Sequence, residues 1–215
     1  MTYSCAIFKD LDGDLKRYGT SRSEWSGGEN LLRVAPNPSS THPTQPDPEQ
    51  EPDSGIDELQ EAQLRKIDHI ISRARIQPGH RVLEIGSGWG ALALRIASTI
   101  PNTTIDTLTL SVHQQTLARE RIRAAGIGAD GIPYSERIAV HLMDYRAMPE
   151  EWEGAFDRFI SVEMIEAVGR EYLEKYWEVV DWAVKKVGGV GVVQVITIPE
   201  PSTCFSLCVR SFRRR

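Results

Sequence analysis

Apolar residues recur at helical spacing between Gly55 and Arg73, which predicts the first helix of the chain. These positions are Ile56, Leu59, Ala62, Leu64, Ile67, Ile70 and Ile71. The turn-forming residues Gln77, Pro78 and Gly79 follow, and together they end the helix.

Beyond this helix, short apolar runs alternate with amphipathic stretches. The runs predict five strands, at residues 81–85, 104–110, 138–143, 156–162 and 189–198. The stretches between them predict helices at 91–99, 112–126 and 170–186. Strands that alternate with helices at this spacing favour an α/β fold with a doubly wound parallel sheet. The longest apolar run, 187–198, is too short to span a bilayer.

Residues 11–55 differ from the rest of the chain in composition. Six of the 12 prolines fall between Pro36 and Pro52, with few large apolar residues among them. Such a segment cannot bury enough surface to offset its conformational entropy. We therefore predict a disordered insertion at 11–55, and the alternative is a short partner-binding motif inside it. This leaves an N-terminal segment at 1–10, a folded domain at 56–200 and a tail at 201–215 in which no helix or strand is expected.

Charge and cysteine content exclude several classes of function. The formal net charge is −5, whereas nucleic-acid-binding domains usually carry a basic surplus. Cys5, Cys204 and Cys208 are too few and too scattered for a disulfide framework or a four-cysteine zinc site. Because no histidine pair has ligand spacing, we expect no metal. There is no Gly-x-Ser-x-Gly motif for a serine hydrolase, and no signal-peptide pattern, so we expect a cytoplasmic protein.

A glycine loop follows the first predicted strand. Gly86, Gly88 and Gly90 allow a sharp turn there and let a ligand approach the backbone closely. The following helix offers free N–H groups at its start. Gly86, Gly88 and Ala91 also satisfy a dinucleotide-binding fingerprint, so the loop alone leaves two ligand classes open.

The residues around the loop favour a ligand other than a dinucleotide. A dinucleotide site needs an acid at the end of the second strand. Here that strand ends in Thr109 and Ser111, and Asp106 lies near its start. Glu84, just before the loop, is placed to hold a cationic ligand group, and the alternative is a carboxylate bonded to backbone N–H groups.

Longer motifs run in one order along the chain. They include YSCAIF at 3–8, PGHRVLEIGSGWGALA at 78–93, TLTLSVHQQ at 107–115, DYRAMP at 144–149, FDRFISVEMIEAVG at 156–169 and GGVGVVQVITIPE at 188–200. In these motifs the sequence resembles the cyclopropane-fatty-acyl-phospholipid synthase family, S-adenosylmethionine-dependent enzymes that include the mycolic-acid cyclopropane synthases. The resemblance implies a Rossmann-like class I methyltransferase fold. It also implies a chain truncated after Glu200, with five strands present and the last two strands and a lipid-facing lid missing.

The resemblance implies an S-adenosylmethionine site and assigns its residues. Gly86 and Gly88 would line the methionine end, with Glu84 near the amino group. The remaining positions would be Thr109, Leu110 and Gln114 at the ribose, Asp144 and Tyr145 at the adenine, Tyr3 and Ser4 as a cover, and Ser161 with Val162 as the wall beside the substrate. Core packing is the alternative for Tyr145.

In the resembled family, a bicarbonate ion is thought to serve as the general base beside the transferred methyl group. The resemblance assigns its ligands here to Cys5 and Glu166. Gln194 stands where the family commonly has a histidine, which changes one bicarbonate contact, and Ala167 stands where a histidine often follows the glutamate. The alternatives are a plain buried thiol for Cys5 and a helix cap or ion-pair partner for Glu166.

The implied reaction is methyl transfer to a cis double bond of a lipid acyl chain, closing a cyclopropane ring. The alternatives are a methyl branch, a methylated sphingolipid base, or an inactive cofactor-binding fragment. A nicotinamide-dependent oxidoreductase is the outside candidate. Unsaturated phospholipids are the implied partners, so the protein would contact membranes peripherally.

Overall fold

The computed structural model describes residues 5–8, 58–197 and 206–213. Tyr3, Ser4 and the predicted insertion at 11–55 lie outside the described residues.

Helices and strands alternate in the predicted order. The helices are α1 (Glu58–Ala74), α2 (Ala91–Thr99), α3 (Val112–Ala125), the single turn α4 (Tyr134–Arg137) and α5 (Leu173–Ala183). The strands are β1 (Arg81–Ile85), β2 (Thr104–Thr109), β3 (Ile138–Leu142), β4 (Arg158–Val162), β5 (Val190–Thr197) and β6 (Ser206–Arg213). Their order in the sheet is β3-β2-β1-β4-β5-β6, with β1 to β5 parallel. This confirms the predicted doubly wound α/β fold.

β1 lies at the centre of the sheet and is buried on both faces. Val82 and Leu83 are each 0% exposed. Val82 packs with apolar residues of α1, α2 and α3, whereas Leu83 packs in an aromatic cluster that includes Tyr176 of α5. A strand covered by helices on both faces has a continuous apolar run, which is why β1 was predictable to the residue. Within the described ranges, no helix has the length and apolar character needed to cross a membrane.

The long helix predicted at 170–186 is shorter in the structure. A 3₁₀ turn occupies Arg170–Tyr172, and α5 ends at Ala183. Val184 then forms a parallel bridge with Phe156, and the Lys185 N–H donates to the Phe156 carbonyl at 2.9 Å. The helix ends here because these sheet-type hydrogen bonds replace helical ones.

The prediction that 201–215 contains no element is wrong for part of that segment. Ser206–Arg213 forms β6, which pairs antiparallel with β5 along the length of that strand. A border strand leaves a row of backbone donors and acceptors unpaired, and β6 pairs those of β5. The described sheet therefore has six strands, one more than the five expected.

The strand order reverses at β1, which creates a natural position for a ligand. β1 is flanked by β2 on one side and by β4 on the other. In open parallel sheets, ligands bind at the carboxyl ends of the strands where the order reverses. The glycine loop follows β1 at this point.

Candidate functional site

Two hydrogen bonds hold the glycine loop at the carboxyl end of the sheet. The N–H groups of Gly86 and Ser87 donate to the Leu108 carbonyl at 3.0 and 2.9 Å. Gly88 has a φ of 48°, and among the described residues, apart from its chain neighbours, no atom lies within 4 Å of the position that a Cβ would take there. A ligand can therefore approach the backbone at Gly88. Because α2 starts at Ala91, its first N–H groups point toward the loop.

Two adjoining cavities flank this loop. The loop cavity has a volume of about 280 Å³, and its walls include Lys66, Glu84, Gly86, Gly88, Trp89, Gln114, Val162, Glu163 and Met164. The side cavity has a volume of about 360 Å³, and its walls include Gly86, Thr109, Leu110, Gln114, Met143, Tyr145, Met164 and Ala167. Because the cavities share Gly86, Gln114 and Met164, they form one elongated site along the carboxyl ends of β1, β2 and β4.

Glu84 is a buried carboxyl group in the wall of the loop cavity. Its side chain is 3% exposed, and burial raises its pKa to about 7. Its Oε2 atom has no hydrogen-bond partner among the described residues. An ammonium group bound in the cavity would pair this oxygen and stabilise the ionised carboxylate. Among the described residues no backbone N–H donates to this oxygen, and cation binding by Glu84 stays a prediction.

A hydrogen-bonded cluster marks the end of β2 and the start of α3. The Thr109 hydroxyl donates to Gln114 Oε1 at 2.7 Å, and Ser111 caps α3 by accepting from the Gln114 N–H. Leu110 lines the side cavity and is 69% exposed. The three predicted ribose residues therefore lie together at the junction of the two cavities.

Asp106, the acidic residue of β2, contacts Arg81 and His141. Asp106 is the third residue of β2, as predicted, and pairs with Leu83 in the sheet register. Its carboxylate accepts from Arg81 Nε at 2.9 Å and lies 2.8 Å from His141 Nε2. The end of β2 thus carries hydroxyl groups instead of the acid that a dinucleotide site needs.

Asp144 and Tyr145 differ in their relation to the side cavity. The Asp144 carboxylate accepts from the Arg146 guanidinium at 2.9 and 2.6 Å, and this hydrogen bonding lowers the pKa of Asp144. Tyr145 lines the side cavity and packs edge-on against Tyr176, with 5.2 Å between ring centroids. The structure brings Tyr145 to the cavity wall and pairs the Asp144 side chain with Arg146, so cavity lining and core packing both hold for Tyr145.

Ser161 and Val162 end β4 next to the loop. The Ser161 hydroxyl is 0% exposed and donates to the Ile85 carbonyl at 3.2 Å, which ties β4 to β1. Val162 lines the loop cavity. Of this pair, Val162 is the wall of the site and Ser161 supports it.

Cys5 and Gln194, 189 positions apart in sequence, meet at one carboxylate. The backbone N–H of Cys5 donates to Glu163 Oε1 at 3.0 Å, and Gln194 Nε2 donates to the same oxygen at 2.7 Å. Desolvation and the nearby Glu163 carboxylate raise the pKa of the Cys5 thiol, which favours its neutral form. The structure therefore brings two of the three predicted catalytic residues together around a fourth residue.

Glu163 and Lys66 are site residues that the sequence analysis missed. Both line the loop cavity, and Lys66 is 2% exposed although it lies on α1. The signal for Glu163 was its place two residues after Ser161 in the motif at the end of β4. The signal for Lys66 was its place between Leu64 and Ile67 on the predicted helix. Lysine is ordinarily exposed to solvent, so a lysine among these apolar positions is unusual.

Glu166 lies in the 3₁₀ turn Ile165–Ala167, and its side chain is directed to β5. Its Oε1 accepts from the Ile196 N–H at 2.7 Å. The next residue, Ala167, lines the side cavity. The predicted alternatives for Glu166 were a helix cap and an ion pair with arginine, and the structure shows a hydrogen bond to a strand N–H instead.

The residues assigned to a bicarbonate ion do not fit that ion in this structure. The Cys5 N–H and the Gln194 amide already donate to Glu163, and the Glu166 carboxylate accepts from Ile196. A second anion at this point would face the Glu163 carboxylate at short range, where like charges repel.

Comparisons with known proteins agree with the fold and the motifs. The model of the mycolic acid cyclopropane synthetase family matches residues 52–211, which includes part of the segment that the sequence analysis set apart as a tail. Tuberculostearic acid methyltransferase UfaA1 of Mycobacterium tuberculosis is 37% identical over 199 residues, which cover 93% of this chain and 35% of that protein. The cyclopropane-fatty-acyl-phospholipid synthase of Escherichia coli K12 is 36% identical over 132 residues, covering 61% of this chain and 30% of that protein.

A solved structure of a mycolic acid cyclopropane synthase is also similar to this chain. Mycolic acid cyclopropane synthase CmaA1, complexed with SAH and CTAB, superposes with a TM-score of 0.56 at 26% identity, over 66% of this chain and 46% of that one. The chain spans about a third of the length of the two relatives named above, 35% and 30% respectively.

Proposed function

The chain belongs to the mycolic acid cyclopropane synthetase family, and we propose that it transfers a methyl group from S-adenosylmethionine to a double bond of a lipid acyl chain. The observation that carries this proposal is the buried Glu84 Oε2, which no residue in the described part of the chain pairs; it lies beside the glycine loop, in the wall of a cavity large enough for part of the cofactor. The amino group of S-adenosylmethionine is a cation of the kind that this oxygen requires.

The two cavities suit the two ends of the cofactor. In this proposal, Glu84, Gly86 and Gly88 hold the amino-acid end in the loop cavity. The other end lies in the side cavity, with Thr109, Leu110 and Gln114 at the ribose and Asp144 and Tyr145 around the adenine. Tyr3 and Ser4 close the site from the N-terminal side, and Ser161 and Val162 form the wall beside the substrate. The bound cofactor supplies an electrophilic methyl group.

Cys5, Glu166 and Gln194 form the catalytic side of the site in this proposal. The Gln194 amide and the Cys5 backbone fix the carboxylate of Glu163, and Glu166 holds the end of β5 through Ile196. All of these contacts lie at the carboxyl ends of β4 and β5, next to the loop cavity.

An apolar substrate is supported by the surface around the cavity mouths. Leu110, Leu142 and Ile196 lie at the carboxyl ends of β2, β3 and β5 and are 69%, 47% and 41% exposed. Leu110 lines the side cavity, and exposed apolar side chains at this edge of the sheet favour a ligand with hydrocarbon surface. We propose that an unsaturated phospholipid, met at a membrane surface, supplies the acyl chain.

Closure of a cyclopropane ring is the product we propose first. The family match and the Escherichia coli relative, a cyclopropane-fatty-acyl-phospholipid synthase, support it. A methylated chain without a ring is the second candidate, because the relative with 93% coverage of this chain is a tuberculostearic acid methyltransferase. A saturated methyl branch would need a separate hydride donor, since methyl transfer followed by proton loss leaves a double bond.

Calorimetry tests the cofactor assignment. The chain should release or take up heat with S-adenosylhomocysteine and show none with NAD under the same conditions. Heat with NAD alone would overturn the assignment and favour an oxidoreductase.

Mass spectrometry of lipids tests the substrate. Unsaturated phospholipid acyl chains should gain the mass of one CH₂ in cells that express the chain. The ring and the unsaturated methylated chain have equal mass, but only the unsaturated methylated chain takes up hydrogen under mild catalytic hydrogenation. A gain confined to lipids without double bonds would contradict the proposed substrate.

A further inference from the structure

The carboxylate of Glu163 is held in the wall of the loop cavity by two other chain segments. Its Oε1 accepts from the Cys5 N–H at 3.0 Å and from Gln194 Nε2 at 2.7 Å. The family resemblance assigns Cys5 to an external anion as a ligand, and Gln194 stands where the family commonly has a histidine that contacts the same anion. Glu163 therefore fills the position that such an anion would take.

The backbone at Glu163 places the side chain in this position. Glu163 has a φ of 48°, in the left-handed region that favours glycine. Its N–H donates to the Gln194 carbonyl at 2.9 Å, so one residue of β5 holds both the backbone and the side chain of Glu163. A non-glycine residue in this conformation is strained, and the paired contacts with Gln194 stabilise it.

Lys66 of α1 places a positive charge near the Glu163 carboxylate. Lys66 lines the same cavity and is 2% exposed. Burial lowers the pKa of Lys66, and the Glu163 carboxylate opposes that shift by favouring the ammonium form. Val162 and Met164, on either side of Glu163, are also cavity walls, so the carboxylate borders the space where a ligand would bind.

We propose that Glu163 is the general base of this site and takes the place of the external bicarbonate ion. The inference rests on the proposed methyl transfer for its chemistry, and on the contacts of Cys5 and Gln194 for the position of the carboxylate. It makes the chain independent of bicarbonate.

The proton transfer balances without a further reactant. Methyl transfer uses the two π electrons of the acyl double bond to form the new carbon–carbon bond and leaves a cation on the neighbouring carbon. The Glu163 carboxylate takes a proton from the added methyl group, and the electron pair of that C–H bond closes the ring. Removal of a proton from the adjacent chain carbon would form a new double bond instead. In either case the carboxylic acid then returns its proton to water.

The variant Glu163→Gly tests this proposal directly. Glycine removes the carboxylate, frees the Cys5 and Gln194 donors and relieves the left-handed backbone, so the fold should be retained. Glu163→Gln keeps the size of the side chain without its charge. Glu120→Gln, on the exposed face of α3, is the control for loss of one negative charge.

Binding of ¹³C-labelled bicarbonate, followed by NMR line broadening with S-adenosylhomocysteine present, is the first measurement. The wild-type chain and Glu120→Gln should not broaden the signal, whereas Glu163→Gly should broaden it in a saturable way. Broadening by the wild-type chain equal to that of Glu163→Gly would overturn the proposal. Calorimetry with S-adenosylhomocysteine on the same samples separates the two hypotheses, because absent heat contradicts the proposed function and leaves the bicarbonate contrast intact.

Turnover on unsaturated phospholipid is the second measurement. In bicarbonate-free buffer, Glu163→Gly and Glu163→Gln should lose about 100-fold or more in rate, the usual contribution of a positioned base. Added bicarbonate should restore part of the rate to Glu163→Gly and leave the wild-type rate unchanged. A wild-type rate that depends on bicarbonate, or a Glu163→Gln rate equal to wild type, would overturn the proposal.

Discussion

At the scale of single residues, Glu84 connects the stability of the chain with ligand binding. Burial raises the pKa of this carboxyl group from 4.5 to about 7. Between these two values the folded state binds more protons than the unfolded state, so the free energy of unfolding falls as pH rises from about 4.5 to about 7. A shift of this size corresponds to about 3 kcal/mol. Above pH 7 the ligand-free protein holds an ionised, buried carboxylate.

Glu84→Gln should remove this pH dependence. We expect a higher thermal midpoint than wild type at pH 8, where the buried charge is costly, and a similar midpoint at pH 5, where Glu84 is neutral. The same variant should bind S-adenosylhomocysteine at least about tenfold more weakly, because one ionic hydrogen bond is lost. Circular dichroism melts and calorimetry measure the two effects, with Glu120→Gln as the control. A midpoint at pH 8 equal to or below that of wild type would contradict this account.

Gly88→Val should abolish cofactor binding while the chain stays folded. Apart from its chain neighbours, no atom of residues 5–8, 58–197 and 206–213 lies within 4 Å of the Cβ position, so the new side chain would occupy the space beside the loop that the ligand needs. The left-handed φ of 48° adds about 1–2 kcal/mol of backbone strain. Gly79→Val is the matched control, since Gly79 has a φ of 84° and open space around its Cβ position but lines neither cavity. Equal calorimetric affinities for the two variants would refute the role of Gly88.

At the scale of elements, the start of β5 fixes the position of Gln194. The turn between α5 and β5 is closed at Gly189, where a Cβ would lie 2.4 Å from both the Lys185 carbonyl oxygen and Val184 Cγ1. Any side chain there must displace the backbone that leads into β5. β5 carries Gln194 opposite Val162 of β4, so the turn sets the distance from Gln194 to Glu163.

Gly189→Ala should lower the free energy of unfolding by about 2 kcal/mol or more, because the added methyl group overlaps backbone that cannot move away freely. Val187→Ala, a neighbouring residue that is 83% exposed, should change it by less than about 0.5 kcal/mol. Urea denaturation of both variants measures the difference. Equal midpoints would show that the turn adapts to the methyl group.

The elements that the sequence predicts well are those defined by local pattern. β1 and α2 have the predicted bounds, because a buried run and an amphipathic run each carry their own signal. The end of α5 was predicted too late, since it depends on hydrogen bonds to Phe156. β6 was missed because its own sequence shows no clear strand pattern. The strand depends on its antiparallel pairing with β5.

The residues of the candidate site also divide into those that local pattern predicts and those that depend on distant contacts. Glu84, Gly86 and Gly88 line the loop cavity, and their place in a strand and turn made this position predictable, while their part in cofactor binding stays a prediction. The contacts of Glu163 were not predictable from local pattern, since they depend on a left-handed backbone and on donors 158 and 31 positions away.

At the scale of the whole molecule, the two cavities lie along the carboxyl ends of β1, β2 and β4. The side cavity is lined by Leu110, which is 69% exposed, so this end of the described site borders solvent. A cation on an acyl chain survives long enough for ring closure only where water is excluded. Water access at this edge therefore decides the product.

We expect the 215-residue chain to form product slowly and to leak part of the reaction to water. Where water reaches the cation before the base removes a proton, the acyl chain gains one CH₂ plus one water instead of one CH₂ alone. Mass spectrometry of phospholipids incubated with the chain and S-adenosylmethionine separates these products, and full-length Escherichia coli cyclopropane-fatty-acyl-phospholipid synthase is the reference. The hydrated fraction should be larger for this chain, and Glu163→Gln should enlarge it further, because slower proton removal gives water more time. A rate equal to that of the reference with no hydrated product would show that the 215-residue chain excludes water from the site.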